Sequence, residues 1–182
     1  MAMNRVAGLV LVFVVTSITE ALGEPAHRPM EEMRGGCADY ALNVRAELAA
    51  MEQASRPVKS LATREEVAPI MPGLQPISIT FLNADGVSLT VTPKRSGSSA
   101  GLLPIAVPRD GRYRISADTA LWIEVVAGQE RLEPQAFEMQ TGCSTLFKTV
   151  VYELKAGPRY WMELSGNVKT ARVLLSDAGG AP

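Results

Sequence analysis

Residues 145–176, TLFKTVVYELKAGPRYWMELSGNVKTARVLLS, contain three short apolar segments separated by two turn signals. The segment 145–155 is the longest strand candidate, and 159–165 and 169–176 follow it after Ala-Gly-Pro and Gly-Asn turns. Apolar and polar side chains largely alternate along them, which is typical of strands with one buried face. Strands joined by turns this short pair antiparallel, because a parallel pair needs a long crossover.

The same pattern extends upstream to residue 77. Two alternating runs, 77–81 and 87–91, flank the turn signal Asn-Ala-Asp-Gly and predict a hairpin. The further strand candidates are 102–107, which Pro104 marks as an edge or broken strand, 113–115, 121–127 and a weak 131–139 split by Pro134. This spacing predicts an all-β fold, an antiparallel two-sheet sandwich of the jelly-roll-like kind over residues 77–177.

Residues 1–23 have the composition of a secretory signal peptide. A single early charge, Arg5, precedes an apolar run at 6–15, and Ala21 and Gly23 place small residues where a signal peptidase reads them. The run is shorter than the roughly 20 apolar residues that span a bilayer. We therefore expect cleavage after Gly23, location in the periplasm or outside the cell, and no membrane span in the mature chain. An uncleaved membrane anchor is the alternative.

Residues 24–76 lack the strand pattern. We expect a tail, then a helix over 38–54 whose apolar side chains recur every three or four residues, then a proline-rich connection from 55 to 76. The apolar stripe of this helix is expected to pack on the sandwich, and binding of a partner protein is the alternative. Residues 178–182 are expected to form a frayed end.

Cys37 and Cys143 are the two cysteines of the chain. In an oxidising compartment an even number of cysteines predicts a disulfide. Such a bond would hold the N-terminal helix against the sandwich. Two free thiols, or bonds between two chains, are the alternatives.

Charge and histidine content exclude several classes of function. The formal net charge is −1, so no basic excess exists to neutralise nucleic-acid phosphates. The single histidine, His27, lies in a proline-flanked segment beside the predicted cleavage site. Catalytic triads need a rigidly held histidine, and catalytic zinc or non-haem iron sites usually need two or more. We expect no enzymatic activity, no cofactor and no metal.

Aromatic side chains are the candidate ligand-binding residues. Trp122, Tyr160 and Trp161 lie on strand candidates, and the alternation places both tryptophans on the more polar side of their strands. Tryptophan rings there offer broad apolar area to a sugar ring or a partner side chain. Cover by the N-terminal helix or by residues 55–76 is the alternative.

The C-terminal strands resemble a known family. The stretch VYELKAGPRYWMELSG at 151–166, followed by ARVLL at 171–175, is similar to the closing strands of bacterial pre-peptidase C-terminal domains, and DGRYRI at 110–115 has the same shape more weakly. The resemblance implies a jelly-roll-like sandwich that serves a secreted protein as a non-catalytic accessory module. The acidic run of that family's middle strands is missing here.

Together these observations predict a non-catalytic exported protein, with a binding or structural role toward an envelope protein or glycan. The alternative is a carbohydrate- or small-ligand-binding module that uses Trp122 and Trp161.

Cleavage after Gly23 is directly measurable. We expect the intact mass of the exported protein to match a chain that begins at Glu24, because the apolar run is too short to remain as an anchor. Recovery of full-length protein that retains Met1 in the membrane fraction would contradict the prediction.

Overall fold

Eleven strands and one α-helix make up the computed structural model, which describes residues 33–93 and 97–179. The predicted signal peptide, His27 and residues 180–182 of the predicted frayed end lie outside the described residues. The helix α1 is Arg45–Met51. The strands are β1 (Arg56–Lys59), β2 (Ile77–Thr80), β3 (Leu82–Asn83), β4 (Ser99–Ile105), β5 (Gly111–Ala117), β6 (Trp122–Ala127), β7 (Glu130–Arg131), β8 (Ala136–Met139), β9 (Lys148–Leu154), β10 (Tyr160–Gly166) and β11 (Thr170–Asp177).

The strands form two sheets that pack face to face, which confirms the predicted all-β sandwich. One sheet has the strand order β1-β2-β11-β5-β9-β8, and the other has the order β3-β4-β10-β6-β7. Their strands pair antiparallel except β1 and β2, which are parallel. The parallel strand β1 lies within the connection that the sequence predicts to be irregular. The 17 residues between β1 and β2 supply the long crossover that parallel pairing requires.

The main core lies between the inner faces of the two sheets. Alternate residues of each long strand point into it, as the sequence pattern predicts. Its fully buried members include Ile79, Ile105, Ile115, Val125, Leu154, Met162 and Val173. Tyr113 and Tyr152 lie directly opposite each other on β5 and β9 within this core.

The outer face of the six-stranded sheet is covered by residues 33–53, here called the N-terminal cover. Its helix α1 is shorter than the predicted 38–54, and Cys37–Asp39 form a separate 3-10 turn. The backbone N–H groups of Ala41 and Leu42 donate to the carboxylate of Glu138 on β8, at 2.8 to 3.0 Å, instead of entering the helix. This buried acceptor on the sheet therefore holds Ala41 and Leu42 outside the helix, which begins only at Arg45.

Apolar contacts also fix the N-terminal cover. Tyr40, Val44 and Leu48 of the predicted stripe pack around Cys143 and Leu146. The stripe therefore faces the sandwich, and the packing interpretation of the helix is confirmed.

A buried ion pair lies beneath α1. Arg114 Nη1 on β5 donates to Glu47 Oε1 at 2.6 Å, and the Ser176 hydroxyl on β11 donates to the same oxygen at 2.7 Å. Glu47 and Arg114 are both buried. Removing either partner would leave an uncompensated charge under the helix.

The predicted disulfide is present. Cys37 and Cys143 are bonded, their Cα atoms are 4.6 Å apart, and 106 positions separate them in the sequence. Cys143 precedes β9, so the bond ties the start of the N-terminal cover to the six-stranded sheet.

The outer face of the five-stranded sheet is covered by residues 61–67 and 87–91, here called the loop cover. The predicted hairpin between 77–81 and 87–91 is wrong, since Val87, Leu89 and Val91 pack on this outer face instead of pairing with β2. Their alternation reflects burial against a sheet rather than membership of one.

Pro104 lies in an unbroken β4. Leu102 exchanges both of its backbone hydrogen bonds with Leu61, on the side of β4 away from β10, and the Pro104 carbonyl accepts from Ile70 N on that same side. The missing N–H of proline therefore faces loop residues and not the sheet, where it would remove a ladder hydrogen bond.

Removal of the disulfide should lower the free energy of unfolding. The Cys37→Ser/Cys143→Ser double variant should lose about 2 to 5 kcal/mol of unfolding free energy in a urea titration, because the bond closes a long loop. Dithiothreitol should destabilise the wild type by a similar amount and leave the variant unchanged. Identical unfolding curves for wild type with and without reductant would contradict the prediction.

Candidate functional site

Trp161 lies under the loop cover. It packs on the outer face of the five-stranded sheet with Leu102 and Val126, and Leu61 and residues 87–91 lie against this cluster. The guanidinium groups of Arg64 and Arg159 lie 5.8 and 5.5 Å from its ring centroid. Its exposed fraction is 7%. Its ring therefore presents no open face to a ligand in this conformation.

Glu163, two residues further along β10, holds the loop cover in place. Its carboxylate accepts hydrogen bonds from Thr90 N at 3.0 Å and from Val91 N at 3.1 Å. Arg64 Nη2 donates to it at 3.2 Å, and Arg64 also donates to Thr90 Oγ1 and to the Gly128 carbonyl. The cover above Trp161 is thus fixed by a charged and nearly fully buried acceptor.

Tyr160 lies on the opposite face of β10 and belongs to the core. Its side chain is 4% exposed. Its hydroxyl accepts from Lys155 N at 2.9 Å and donates to the Lys155 carbonyl at 3.1 Å, which closes the turn before β10. This geometry gives Tyr160 a structural position between the sheets.

Trp122 differs from both, because it lies half-buried at a cavity. Cross-strand register places Trp122 opposite Ser165, and Trp161 opposite Val126, so the two tryptophans share a sheet face four positions apart. That separation is roughly 13 Å along a strand. The structure does not bring Trp122 and Trp161 into one platform.

The cavity beside Trp122 forms where the chain changes sheets. Strand β7 pairs only with Val126 and Ala127 at the end of β6. The chain then passes through Pro134 and enters β8 in the other sheet. The sequence prediction of a strand split by Pro134 is confirmed. On the side away from β10, the first half of β6 is left without a neighbouring strand.

Two side chains from β9 occupy the free edge of β6. The carbonyl groups of Ile123 and Val125, and of Leu121 just before the strand, point to the same side of β6. Leu132 N donates to the Val125 carbonyl at 2.8 Å. The Tyr152 hydroxyl donates to the Ile123 carbonyl at 3.1 Å, and Lys148 Nζ donates to the Leu121 carbonyl at 3.3 Å. Side chains thus satisfy acceptors that a partner strand would otherwise bind.

The resulting edge cavity has a volume of about 310 Å³. This is near the lower end of the range found for small-molecule sites. Its lining residues are Trp122, Ile123, Glu124, Arg131, Glu133, Pro134, Phe137, Lys148, Val150 and Tyr152. Three aromatic rings, a proline and two aliphatic side chains therefore surround four charged groups.

Glu124 fixes the orientation of Trp122. The indole Nε1 donates to Glu124 Oε1 at 2.7 Å, and Arg131 Nε donates to Glu124 Oε2 at 2.6 Å. Arg131 also pairs with the exposed Glu133 at 3.0 Å. The Glu124 carboxylate raises the pKa of Arg131. The indole ring is consequently held in place before any ligand arrives.

Lys148 is the least satisfied charged group of the cavity. Burial lowers the pKa of Lys148, and the nearby Glu124 acts in the opposite direction. Its Nζ lies 5.3 Å from the Trp122 ring centroid and 6.0 Å from that of Phe137, within the range of cation–π attraction. Beyond these rings, its one hydrogen bond within residues 33–93 and 97–179 is to the Leu121 carbonyl.

A second cavity of about 190 Å³ lies beside β1, between residues 67–70 and β4. Arg56 and Lys59 are its charged lining residues, and its walls are mainly aliphatic. None of the described residues that line it is aromatic. The edge cavity beside Trp122 is therefore the better candidate site.

Sequence reasoning missed Lys148, Glu124, Arg131 and Phe137 as site residues. One signal was present for Lys148, because it has the same strand parity as the inward-facing Val150 and Tyr152. A lysine at an apolar position of a strand needs a polar partner or an opening. Glu124 also had a signal, because it lies two positions from Trp122 on the same face of one strand. No comparable signal marks Arg131 and Phe137, whose approach depends on the change of sheets near Pro134.

Comparison with known proteins returns no match, either to a protein-family model or to a curated protein. The resemblance to pre-peptidase C-terminal domains therefore stays a prediction. Within residues 33–93 and 97–179, no helix is long and apolar enough to cross a membrane. The same residues contain no group of three or more His, Cys, Asp or Glu side chains arranged to hold a metal ion.

Tyr152 should make stability depend on alkaline pH. Burial, with the nearby Glu124 charge, raises the pKa of Tyr152 in the folded protein well above the unfolded value of 10.0. The contribution of this raised pKa to the free energy of unfolding is fully present below about pH 10. It is lost as pH rises further, because only the unfolded chain then releases the phenolic proton.

The Tyr152→Phe variant tests this contribution. It should lose about 1 to 3 kcal/mol at neutral pH, since the Ile123 carbonyl is left without its donor. The difference from wild type in urea-unfolding free energy should shrink as pH rises beyond 10. A difference that stays constant from pH 8 to 11 would contradict the assignment.

Proposed function

We propose that this protein is a non-catalytic, exported binding protein whose ligand occupies the edge cavity beside Trp122. The observation that carries the proposal is a tryptophan ring held by Glu124 at the wall of a cavity that also contains Phe137 and Lys148. A fixed aromatic wall loses little conformational freedom when a ligand binds, which favours affinity.

The disulfide supports export. A bond between Cys37 and Cys143 forms and persists in oxidising compartments such as the periplasm or the extracellular space. The predicted signal peptide points to the same compartments. An envelope protein or glycan there would supply the ligand, as a free small molecule or as an exposed group of the larger partner.

The hydrogen bonding of the carboxylates supports binding rather than catalysis. Both oxygens of Glu124 accept strong hydrogen bonds, from Trp122 and Arg131. Both oxygens of Glu163 accept from the loop cover. Carboxylates that are committed in this way orient other groups and are poorly placed to exchange protons with a substrate.

A carbohydrate ligand is the second candidate. The Trp122 ring offers a stacking surface for one sugar ring, as the sequence analysis predicts for this residue. Because Trp161 lies under the loop cover, such binding would involve a single tryptophan and one terminal sugar.

The indole N–H signals of Trp122 and Trp161 give a direct test, because the chain has two tryptophans. We would titrate ¹⁵N-labelled, disulfide-intact protein with glucose, N-acetylglucosamine, benzyl alcohol, benzamide and benzoate at millimolar concentrations. At least one of these probes should shift the Trp122 signal and leave the Trp161 signal in place.

Two variants provide the assignment and the control. Trp122→Phe should remove the responding signal and weaken binding, whereas Trp161→Phe should retain the response at Trp122. If no probe shifts the Trp122 signal, or if the shifts occur at Trp161, the edge cavity is not the binding site.

A further inference from the structure

We propose that the edge cavity selects a small planar carboxylate, whose anionic group pairs with Lys148 while its flat body lies between Trp122 and Phe137. This inference rests on the proposed binding function and names the chemical class of the ligand. It follows from the distribution of charge around the cavity and from the shape of its walls.

Lys148 lacks an ion-pair partner among the described residues. An ammonium group has three N–H donors, and one of them is used by the Leu121 carbonyl. The Trp122 and Phe137 rings flank the nitrogen and stabilise its charge without accepting a conventional hydrogen bond. A ligand oxygen beside Nζ would supply a second acceptor, which the described part of the chain does not provide.

The other charged groups of the cavity are already paired, and the second negative charge, that of Glu133, is screened by solvent because its side chain is 77% exposed. Arg131 bonds to both Glu124 and Glu133, and the Trp122 indole donates to the second oxygen of Glu124. A cationic ligand would have to displace Arg131 or the indole to reach Glu124. An anionic ligand meets Lys148 without breaking either ion pair, so the cavity favours negative charge.

The walls set the shape of the ligand. Trp122 and Phe137 both lie close to Nζ, and Tyr152 adds a third flat ring to the cavity lining. A volume of about 310 Å³ leaves room for one or two rings. A planar group next to the carboxylate matches this opening better than a branched aliphatic chain does.

The proposal has a pH signature. Burial lowers the pKa of Lys148 in the free protein, and a bound carboxylate would raise it again. The other titratable groups that line the cavity are Glu124, Arg131 and Glu133, together with Tyr152 on the same strand as Lys148. Affinity for a carboxylate should therefore fall as pH rises through the pKa of Lys148 in the free protein, because the neutral amine loses its attraction.

Calorimetric titration of the disulfide-intact protein tests the charge requirement. Benzoate and indole-3-carboxylate are the probes, and benzamide and indole-3-carboxamide are their neutral counterparts of matched shape. We expect each acid to bind at least about tenfold more tightly than its amide, the size of one charge-assisted hydrogen bond. Cyclohexanecarboxylate, which keeps the charge without the flat ring, should bind more weakly than benzoate.

Variants assign the effect to Lys148. Lys148→Met should weaken benzoate binding at least about tenfold and abolish its pH dependence, and Lys148→Arg should retain most of the affinity. Lys155→Met is the matched control, because Lys155 is exposed at the end of the same strand. The comparison of acid with amide on the wild type requires no variant, so it remains decisive if Lys148→Met fails to fold.

The possible outcomes separate this inference from the proposed function. The carboxylate class would be overturned if the acid and the amide bind equally well, or if only a sugar binds. If the Trp122 signal responds in either case, the cavity remains a binding site. Absence of any response at Trp122 would overturn both. An affinity that is unchanged in Lys148→Met would remove Lys148 from the site.

Discussion

Buried carboxylates that accept backbone N–H groups hold the two covers on this sandwich. Glu138 accepts from Ala41 and Leu42, and Glu163 accepts from Thr90 and Val91. These N–H groups belong to no sheet ladder, and a carboxylate in such a place is tolerable only when its oxygens are hydrogen-bonded. Each glutamate therefore provides acceptors for the backbone N–H groups of its cover, and those N–H groups provide the donors that the buried carboxylate needs.

Because both outer faces are covered, the proposed ligand cavity lies at a lateral edge of the sandwich. The outer faces, which carry polar side chains and Trp161, lie beneath the covers. At the edge where the chain passes from β7 to β8, the free side of β6 is filled by Lys148 and Tyr152 instead of a strand. The same two side chains that protect this edge against strand addition also line the cavity.

Most of the strands and the disulfide were predictable from the sequence, whereas the helix and one hairpin were predicted wrongly in extent or pairing. Helix α1 ends up shorter because Glu138, about 97 positions from Ala41, accepts N–H groups that a longer helix would use. Val87, Leu89 and Val91 alternate like a strand because they pack on a sheet face. In both cases a contact distant in sequence changed the outcome of a local pattern.

The sequence by itself determined most of the strands and the turns between them, because strand periodicity acts locally. It also left one possible pairing within the chain, Cys37 with Cys143, because there are two cysteines. Only the tertiary structure decided that Trp161 is covered while Trp122 faces a cavity. Alternation reports that a side chain points to one face of a strand, but it does not report what lies against that face. The loop cover, the change of sheets at Pro134 and the approach of Lys148 to Trp122 all bring together residues far apart in the chain, and no local pattern encodes them.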